Sequence, residues 1–376
     1  MRFPEQVPTL TDGDVTLRAH RVDDVPAIVE QCTDPVSLEW TTVPRGYNEE
    51  MGVEFVTTSI PEMWKSDKEF IFAIESTHPD GERRFGGSLS LRDEGARRAE
   101  VAFGAHPAIR DRGVMTTAVN LLLDWGFSAR DLETVSWLTN EGNVASRRVA
   151  WKTGFTFGGT MRRWLDHRGD YPNAWIGALH KDDPREPASE WYDVPVIESK
   201  RLRLRPLKES DIPRIVEASA DERAQHWLSF MPSPYTEQDA RDFMLRTQTQ
   251  AIEGRSITWA VADRESDQFL GTIGLPHKNR TSFEVGYNAH PDARGSGVMS
   301  EGVSMVVRHL FIAKEDGGMG AQRAFVRAAD GNAASQHVAR ANGFTEYGRE
   351  RRSEVLGDGS QVDVALFDLL RSEWAG

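Results

Sequence analysis

The chain carries the same two motifs twice, and this repeat constrains its fold more than any other feature. Residues 100–115, Glu-Val-Ala-Phe-Gly-Ala-His-Pro-Ala-Ile-Arg-Asp-Arg-Gly-Val-Met, are matched by residues 284–299, which share Glu, Val, Ala, His, Pro, Arg, Gly, Val and Met. Residues 143–155 and 332–344 share Asn, Ala, Ser, Val, Ala, Gly and Phe. The offset is 184 residues for the first pair (294 minus 110) and 189 for the second (332 minus 143). A repeat unit of this length is long enough to fold as a domain with its own core. The sequence therefore predicts a duplicated domain.

Composition restricts the classes of protein to which the chain can belong. It is 39% hydrophobic and 27% charged, as in folded globular proteins. No stretch approaches the roughly 18 apolar residues of a membrane span, and the amino terminus lacks a secretory signal, so we expect no membrane partner and a cytoplasmic location. The net charge is −13 and neither half is basic, which argues against a nucleic-acid partner. A single cysteine, Cys32, excludes an internal disulfide, and no residues have metal-ligand spacing, so no metal is expected.

A short polar segment with two prolines separates the two copies. We therefore expect an N-terminal domain over residues 1–182, a linker over 183–195 and a C-terminal domain over 196–376. The oligomeric state stays open, because two tandem domains could pair with each other in place of a dimer.

Each copy shows the same order of patterns: a strand, two helices, three strands, a helix, a strand, a helix and two strands. Asp23–Asp24 and Ser210–Asp211 are interpreted as helix caps. The helix after each glycine-bearing loop is predicted to begin at Thr116 and Ser300. The predicted strands include residues 15–18, 70–74, 87–91, 99–103 and 134–138, with counterparts at 202–205, 257–261, 270–274, 283–287 and 323–327.

The glycine-bearing loops at residues 110–115 and 294–299 lie between a strand and a helix. Glycine allows close approach of the backbone to a ligand, and the N–H groups of the helix's first turn face whatever lies in front, as in a phosphate site. A plain tight turn is the alternative, but two copies in the same context favour binding. Neither loop has the Gly-Lys-Ser/Thr of a Walker loop or the spacing of a dinucleotide fingerprint, so neither nucleotide class fits.

On these motifs, both copies resemble the GNAT superfamily of acyl-CoA N-acyltransferases. The loops resemble its Arg/Gln-x-x-Gly-x-Gly/Ala pyrophosphate motif, with Met115 and Met299 in place of the last glycine. The Asn-x-x-Ser helix closing on Gly-Phe is similar to the Rim-type branch of ribosomal-protein N-terminal acetyltransferases. The resemblance implies two tandem GNAT-like domains of the α/β (α+β) class. Each would be a mixed, mostly antiparallel twisted sheet flanked by helices and opened by a gap for acetyl-CoA.

The resemblance also implies how each copy would hold acetyl-CoA. The pantetheine arm would lie in the gap beside the strand before the loop, and the loop amides would hold the pyrophosphate. The asparagine of the Asn-x-x-Ser motif would contact the pantetheine. The implied residues are Phe103, Ala105, Arg110, Arg112, Gly113, Val114, Met115, Thr116 and Asn143 in the first copy, and Tyr287, Ala289, Arg294, Gly295, Ser296, Gly297, Val298, Met299, Ser300 and Asn332 in the second.

Acyl transfer to an amine needs a base for the ammonium and a donor for the departing thiolate. Many GNAT enzymes use a tyrosine four residues before the Gly-Phe glycine as donor, and these positions are alanine here, Ala150 and Ala339. Ser146 and Ser335 are the remaining donor candidates, and the alternative is a hydroxyl satisfied by helix backbone.

Candidate bases lie on the strand before each loop. Glu100 and Glu284 could act directly or through water if partial burial raises their pKa, and a structural salt bridge is the alternative. His106 and His290 precede proline at the strand end, where packing and turn formation are favoured over a role as base. Some of the 11 tryptophans could line an acceptor cleft, although most are expected in the core.

The two copies differ in their loops. Asp111 places a carboxylate where the second copy has Gly295, which weakens pyrophosphate binding unless the neighbouring arginines offset it. We therefore favour the second domain as the catalytic one. The first domain is then a weaker enzyme, a CoA-binding support or an acceptor-binding half.

The implied activity is that of an acyltransferase. An acetyl group would pass from acetyl-CoA to a primary amine by direct attack in a ternary complex. A protein amino terminus and a small-molecule amine both stay open as acceptors. The alternative from another class is a CoA-binding regulatory or scaffolding protein with one or both sites degenerate.

Overall fold

The computed structural model describes residues 2–276, 278–279 and 281–375. The chain forms two compact units, Met1–Ala188 and Ser189–Gly376, called here the first and second unit. The division lies inside the segment 183–195 that the sequence predicts as a linker. Within the described ranges, no helix is both long and apolar enough to cross a membrane.

The first unit is built on one eight-stranded sheet of order β1-β2-β3-β4-β5-β6-β8-β7. Its neighbouring strands are antiparallel except for the parallel pair β5 and β6. A π-helical turn at Phe55–Ser59 joins the third and fourth helices. The strands are β1 Leu10–Asp12, β2 Val15–Arg18, β3 Glu69–Thr77, β4 Arg83–Gly95, β5 Arg98–Ala105, β6 Thr134–Asn140, β7 Thr156–Met161 and β8 Ala174–His180, and the helices are α1 Val25–Thr33, α2 Pro35–Trp40, α3 Glu49–Glu54, α4 Ile60–Lys65, α5 Val114–Ala129 and α6 Val144–Lys152.

Helix α5 and strand β3 show why these segments form a packed layer. The side chains of α5 that are completely buried recur on one face of the helix, at Ala118, Val119, Leu122 and Leu123. Residues 70–74 of β3 are all buried, as expected for a strand covered on both faces. Trp64 of α4 packs its ring against Phe70 and Phe72, with ring centroids 5.2 and 5.3 Å away. The core therefore lies on both sides of the sheet.

The second unit has a similar order of elements, with three early α-helices where the first unit has four, and its described residues form two five-stranded sheets, β15-β12-β11-β10-β9 and β13-β14-β16-β18-β17. The only parallel pair among the described strands of this unit is β14 with β16. The strands are β9 Ile197–Glu198, β10 Leu202–Arg205, β11 Thr258–Asp263, β12 Phe269–Gly274, β13 Lys278–Asn279, β14 Ser282–Glu284, β15 Gly286–Ala289, β16 Arg323–Ala329, β17 Thr345–Val355 and β18 Gln361–Leu370, and the helices are α7 Ile212–Ala220, α8 Glu222–Trp227, α9 Glu237–Ile252, α10 Val298–Phe311 and α11 Ala333–Ala341.

The strand predicted over residues 283–287 is interrupted at Val285, so that prediction was wrong in detail. Its first part pairs with β16 and its second part with β12. In the first unit the corresponding strand stays continuous because β4 pairs with it over its whole length, from Arg98 to Ala105. In the second unit β12 ends at Gly274. Pro276 follows soon after, and it has no N–H group to extend the pairing.

Two further sequence predictions are corrected by the structure, and two short helices are added. The helices after the glycine loops begin at Val114 and Val298, two residues before the predicted starts, because a glycine at each N-cap ends the loop. The short helices α2 and α8 were not predicted. The Asp24 side chain does not cap α1; its carboxylate accepts hydrogen bonds from the Arg18 guanidinium at 2.8 Å, and Asp211 and Arg205 form the same pair.

Candidate active site

The two glycine loops have the same backbone conformation. Gly113 and Gly297, the N-caps of α5 and α10, have φ of +79° and +80°. Two residues earlier, Asp111 has φ of +60° where Gly295 has +73°. A Cβ added at Gly113 or Gly295 meets no atom within 4 Å, and one added at Gly297 meets only the end of the Arg201 side chain at 3.9 Å, so the space before each helix is open. Among the described residues no side chain caps either helix, and the first-turn N–H groups therefore face an open site suited to an anion.

The first arginine of each loop is held by an aspartate that the sequence interpretation missed. Arg110 Nη2 lies 2.6 Å from Asp34 Oδ2, and Arg294 Nη2 lies 2.7 Å from Asp221 Oδ2. Asp34 and Asp221 also cap α2 and α8 through backbone N–H groups. The hydrogen bond from Arg294 holds the pKa of the Asp221 carboxyl below its ordinary value. Each ion pair therefore ties a short helix to the loop.

The other polar side chains of the loops are partly engaged within the protein. Arg112 Nη1 donates to the Thr77 carbonyl at 3.0 Å, which places this guanidinium at the exposed rim of the first loop. The Ser296 hydroxyl donates to the Ala293 carbonyl at 2.6 Å and stabilises its own turn. Among the groups of these loops, the backbone amides are therefore the donors best placed for a pyrophosphate.

The sheet opens next to each loop. In the first unit β5 pairs with β6 only as far as Val101, opposite Trp137, although β5 continues to Ala105. In the second unit β14 pairs with β16 as far as Glu284, and β15 then pairs with β12 alone. We call residues 102–105 and 286–289 the open edges. They include the predicted pantetheine contacts, and an extended chain could pair with their backbone there.

The predicted asparagines are helix caps. Asn143 Oδ1 accepts from the Ser146 N–H at 3.1 Å, and Asn332 Oδ1 accepts from the Ser335 N–H at the same distance. These bonds fix the amino ends of α6 and α11. Because each Oδ1 is engaged, the Nδ2 group is the part of the side chain suited to donate to a ligand.

The two candidate donor serines have different partners. Trp137 Nε1 donates to Ser146 Oγ at 3.0 Å in the first unit. In the second unit Ser335 Oγ donates to the Tyr287 hydroxyl at 3.2 Å, and that hydroxyl donates to the Ser335 carbonyl at 2.8 Å. Both serine hydroxyls thus bond to side chains and not to helix carbonyls. Burial raises the pKa of Tyr287 to about 12, so the phenol keeps its proton at neutral pH.

Glu100 lies in an ion pair and still has a raised pKa. Its Oε1 is 3.2 Å from Arg92 Nη1, as the salt-bridge alternative expects. Burial raises the pKa of the carboxyl, and the nearby Arg92 opposes that shift only in part. Glu284 is half-buried at the end of β14, opposite Phe325, next to the open edge. The role of either glutamate as base stays a prediction.

The two repeated histidines stabilise the turn before each loop. His106 Nδ1 accepts from the Ala108 N–H and His290 Nδ1 from the Asp292 N–H, both at 3.2 Å. His290 Nε2 lies 3.0 Å from Glu217 on α7. Both rings are buried, which agrees with the packing and turn interpretation.

The second unit has a cavity of about 370 Å³ between α8 and the amino end of α11. Its size is within the usual range of small-molecule sites. Trp227 forms one wall, and its ring lies 3.6 Å from where a Cβ on Gly331 would be. The hairpin between β17 and β18 supports α8, because the Gly357 N–H donates to the His226 carbonyl at 2.8 Å. The lining residues are Glu222, Arg223, His226, Trp227, Gly331, Asn332, Ala333 and Ala334.

The same region is arranged differently in the first unit. Arg168, from the connection between β7 and β8, donates to the carbonyls of Leu38 and Val43, both at 2.8 Å. These bonds hold the end of α2 to a long connection instead of a tight hairpin. Within the described parts of both units, no group of three or more His, Cys, Asp or Glu residues could hold a metal ion.

Comparison with known proteins identifies the family. The acetyltransferase (GNAT) domain matches residues 14–156 and 201–345. The chain is 24% identical over 180 residues to the uncharacterized N-acetyltransferase p20 of Bacillus licheniformis, covering 47% of this chain and 97% of the relative. It is 26% identical over 181 residues to the uncharacterized N-acetyltransferase YoaA of Bacillus subtilis, covering 47% and 97%.

Solved structures resemble one half of the chain. They include RimL, a ribosomal L7/L12 acetyltransferase in complex with coenzyme A (21% identity, TM-score 0.42, 47% of this chain and 98% of that one). Mycobacterium smegmatis RimJ with CoA-disulfide is another (22% identity, TM-score 0.41, 48% and 91%). The two family matches together span more than half of the residues. The chain therefore belongs to the GNAT acetyltransferase family, with one copy of the domain in each unit.

Proposed function

We propose that the protein transfers an acetyl group from acetyl-CoA to a primary amine, by direct attack in a ternary complex, and that the second unit carries the reaction. One observation carries this proposal. Each unit has an uncapped helix start beside an open strand edge. This combination suits acetyl-CoA, whose pyrophosphate is an anion and whose pantetheine arm is an extended chain.

The acetyl-CoA site is proposed on backbone groups. The amides of residues 296–299 would hold the pyrophosphate, helped by the Ser300 hydroxyl. The amide and carbonyl groups of the open edge 286–289 would pair with the pantetheine arm, which brings the thioester toward α11. The corresponding groups in the first unit are residues 112–115, Thr116 and the open edge 102–105.

The proposed chemistry forms one bond and breaks one. The amine nitrogen attacks the thioester carbonyl carbon, the C–S bond breaks and its electron pair stays on sulfur. Before attack the ammonium form of the acceptor gives one proton to a base, for which Glu284 is our candidate, directly or through water, and the nitrogen loses a second proton after attack. Ser335 is the candidate donor to the departing sulfur.

The second unit is favoured as the catalytic one by two observations. Its loop has Gly295 where the first unit has the carboxylate of Asp111, which would face a bound pyrophosphate. It also has the cavity beside Asn332, where the acceptor would lie next to the thioester. A cavity of about 370 Å³ accommodates a small amine or the first residue of a peptide, and its tryptophan wall favours an apolar body next to the amine.

A thiol-release assay tests this function. The protein would be incubated with acetyl-CoA and either 2-phenylethylamine, a tripeptide with a free amino terminus or its N-acetylated form. The single cysteine is buried and burial raises its pKa to about 11, so a thiol reagent reports released CoA. We expect release that depends on a free amine. Tight acetyl-CoA binding without amine-stimulated release would contradict the proposal and favour a CoA-binding regulatory or scaffolding protein.

A further inference from the structure

The second unit contains a pair of hydroxyl groups that has no counterpart in the first. Tyr287 lies on the open edge and reaches across to α11, where its hydroxyl meets Ser335. The first unit has Phe103 at the matching position, and its serine is held instead by an indole N–H. An indole N–H donates a hydrogen bond but does not pass on a proton. The two units therefore differ at the group behind the candidate donor.

The geometry of the pair allows its hydrogen bonds to be rearranged without moving the backbone. The Tyr287 hydroxyl donates to the Ser335 carbonyl at 2.8 Å and lies 3.2 Å from Ser335 Oγ. Both acceptors belong to one residue, so rotation of the phenol O–H redirects its hydrogen from the carbonyl to Oγ. The serine hydrogen is then available to donate to another acceptor.

Packing fixes the phenol at this position. The Tyr287 ring packs against the buried core of the second unit, and its hydroxyl is held at both ends by Ser335. The pKa of the phenol is raised by burial, so its proton is present over the whole neutral pH range. Burial also makes this phenol a weaker acid than a free tyrosine, so it acts as a hydrogen-bond donor held by packing and passes on its proton only in concert with the transfer from Ser335 to sulfur.

We propose that Tyr287 and Ser335 form a two-hydroxyl relay that protonates the departing thiolate of coenzyme A in the second unit. The inference rests on the proposed function. As the C–S bond breaks, Ser335 O–H gives its proton to sulfur and Tyr287 O–H gives its proton to Ser335 Oγ. The phenolate then takes up, through solvent, the second proton that the acceptor nitrogen loses after attack, so the products are the amide, the thiol of coenzyme A and one proton on the base. Ser335 is the donor and Tyr287 is a positioning residue behind it.

The relay replaces a group that this sequence lacks. The helical position at which related enzymes carry a tyrosine donor is Ala339, which is buried and has no hydroxyl. The phenol reaches the same side of the site from a strand, at Tyr287. In the first unit neither the helix nor the strand supplies a phenol, because these positions are Ala150 and Phe103.

Steady-state kinetics of Tyr287→Phe in the full chain would test the relay. The substitution introduces the residue that the first unit already has at this position. We expect kcat with acetyl-CoA to fall about 100-fold, the range of general acid catalysis, while KM for acetyl-CoA changes less than about twofold. With an acetyl thioester of a nitrothiophenol, whose thiolate needs no proton, most of the loss should disappear. The matched control is Tyr235→Phe, because that hydroxyl also meets a backbone carbonyl in this unit, Asp239 at 3.4 Å.

A double-mutant cycle separates a relay from two independent effects. If the hydroxyls act as one unit, Ser335→Ala and the double variant should be about equally slow, since removing the donor already removes the benefit of Tyr287. Three outcomes would overturn the relay. The losses of kcat in the two single variants could multiply in the double variant, kcat of Tyr287→Phe could equal that of the wild type, or the loss could be equal with both thioesters. Absence of amine-dependent turnover in the wild-type protein would instead overturn the proposed function, and the relay with it.

Discussion

At the scale of single residues, the sharpest difference between the units is the pair Asp111 and Gly295. Both adopt a left-handed backbone conformation, so glycine is the relaxed residue here and aspartate is one of the few others that tolerates it. The substitution therefore leaves the loop shape intact and changes its charge. Because the loop amides face the open space, we expect a carboxylate two residues before the N-cap glycine to lie close to a bound pyrophosphate.

Exchanging these two residues tests the charge argument. We expect Gly295→Asp to weaken acetyl-CoA binding by the second unit about fivefold, or roughly 1 kcal/mol for like charges a few ångströms apart in water. Asp111→Gly should strengthen binding by the first unit by a similar factor. Calorimetric dissociation constants at low and high salt check this, because screening should shrink both effects. Equal affinities in all variants would show that the loop carboxylate does not face the ligand.

At the scale of elements, α2 and α8 depend on the loops they contact. Each has six residues, too few for a helix to be stable alone. Their N-cap aspartates, Asp34 and Asp221, form ion pairs with Arg110 and Arg294. In the second unit α8 also forms a wall of the cavity. The ion pair between Asp221 and Arg294 therefore connects the glycine loop to a wall of the cavity.

Asp221→Asn isolates that ion pair, because asparagine is also a good N-cap. The folded-state pKa of Asp221 lies below its ordinary 3.8, so its stabilisation is complete above about pH 4 and is lost as pH falls through the folded pKa. Because the ion pair is partly exposed, we expect the substitution to lower the free energy of unfolding by roughly 0.5 kcal/mol at pH 7. This difference should vanish in acid. Urea unfolding at pH 7 and pH 3 measures this free-energy difference, with Asp242→Asn as the control. A loss that persists unchanged at pH 3 would contradict the electrostatic explanation.

The sequence predicted those parts of the fold and site that depend on local patterns. The glycine loops, the asparagine motif and most strands recur in both copies, and the fold class is confirmed by the family match and the sheets. The break at Val285 was not predictable, since it depends on where the neighbouring β12 ends. The Tyr287–Ser335 contact joins residues 48 positions apart and depends on how β15 faces α11. Asp34 and Asp221 could have been found, because both copies carry an aspartate at this position before a tryptophan-ending segment.

At the scale of the whole molecule, the two units share one fold but differ in the residues and openings around the candidate site. The first has a continuous eight-stranded sheet, a charged loop and a connection that holds α2. The second has two separate sheets, an uncharged turn at Gly295, a cavity and the hydroxyl pair. Of these differences, Gly295, the cavity and the hydroxyl pair support our proposal that acetyl transfer takes place in the second unit. The first unit keeps the open edge and the uncapped helix, so we expect it to retain weaker acetyl-CoA binding.

Calorimetric titration of acetyl-CoA into three forms of the full chain tests this assignment most directly. Gly113→Trp and Gly297→Trp each place a large side chain in one loop, and both glycines have nearly the same positive φ, so the backbone strain is matched. Circular dichroism would verify that both variants fold. We predict that the tighter binding phase disappears with Gly297→Trp and persists with Gly113→Trp. Loss of the tighter phase with Gly113→Trp alone, or no binding to the wild-type protein, would contradict the account.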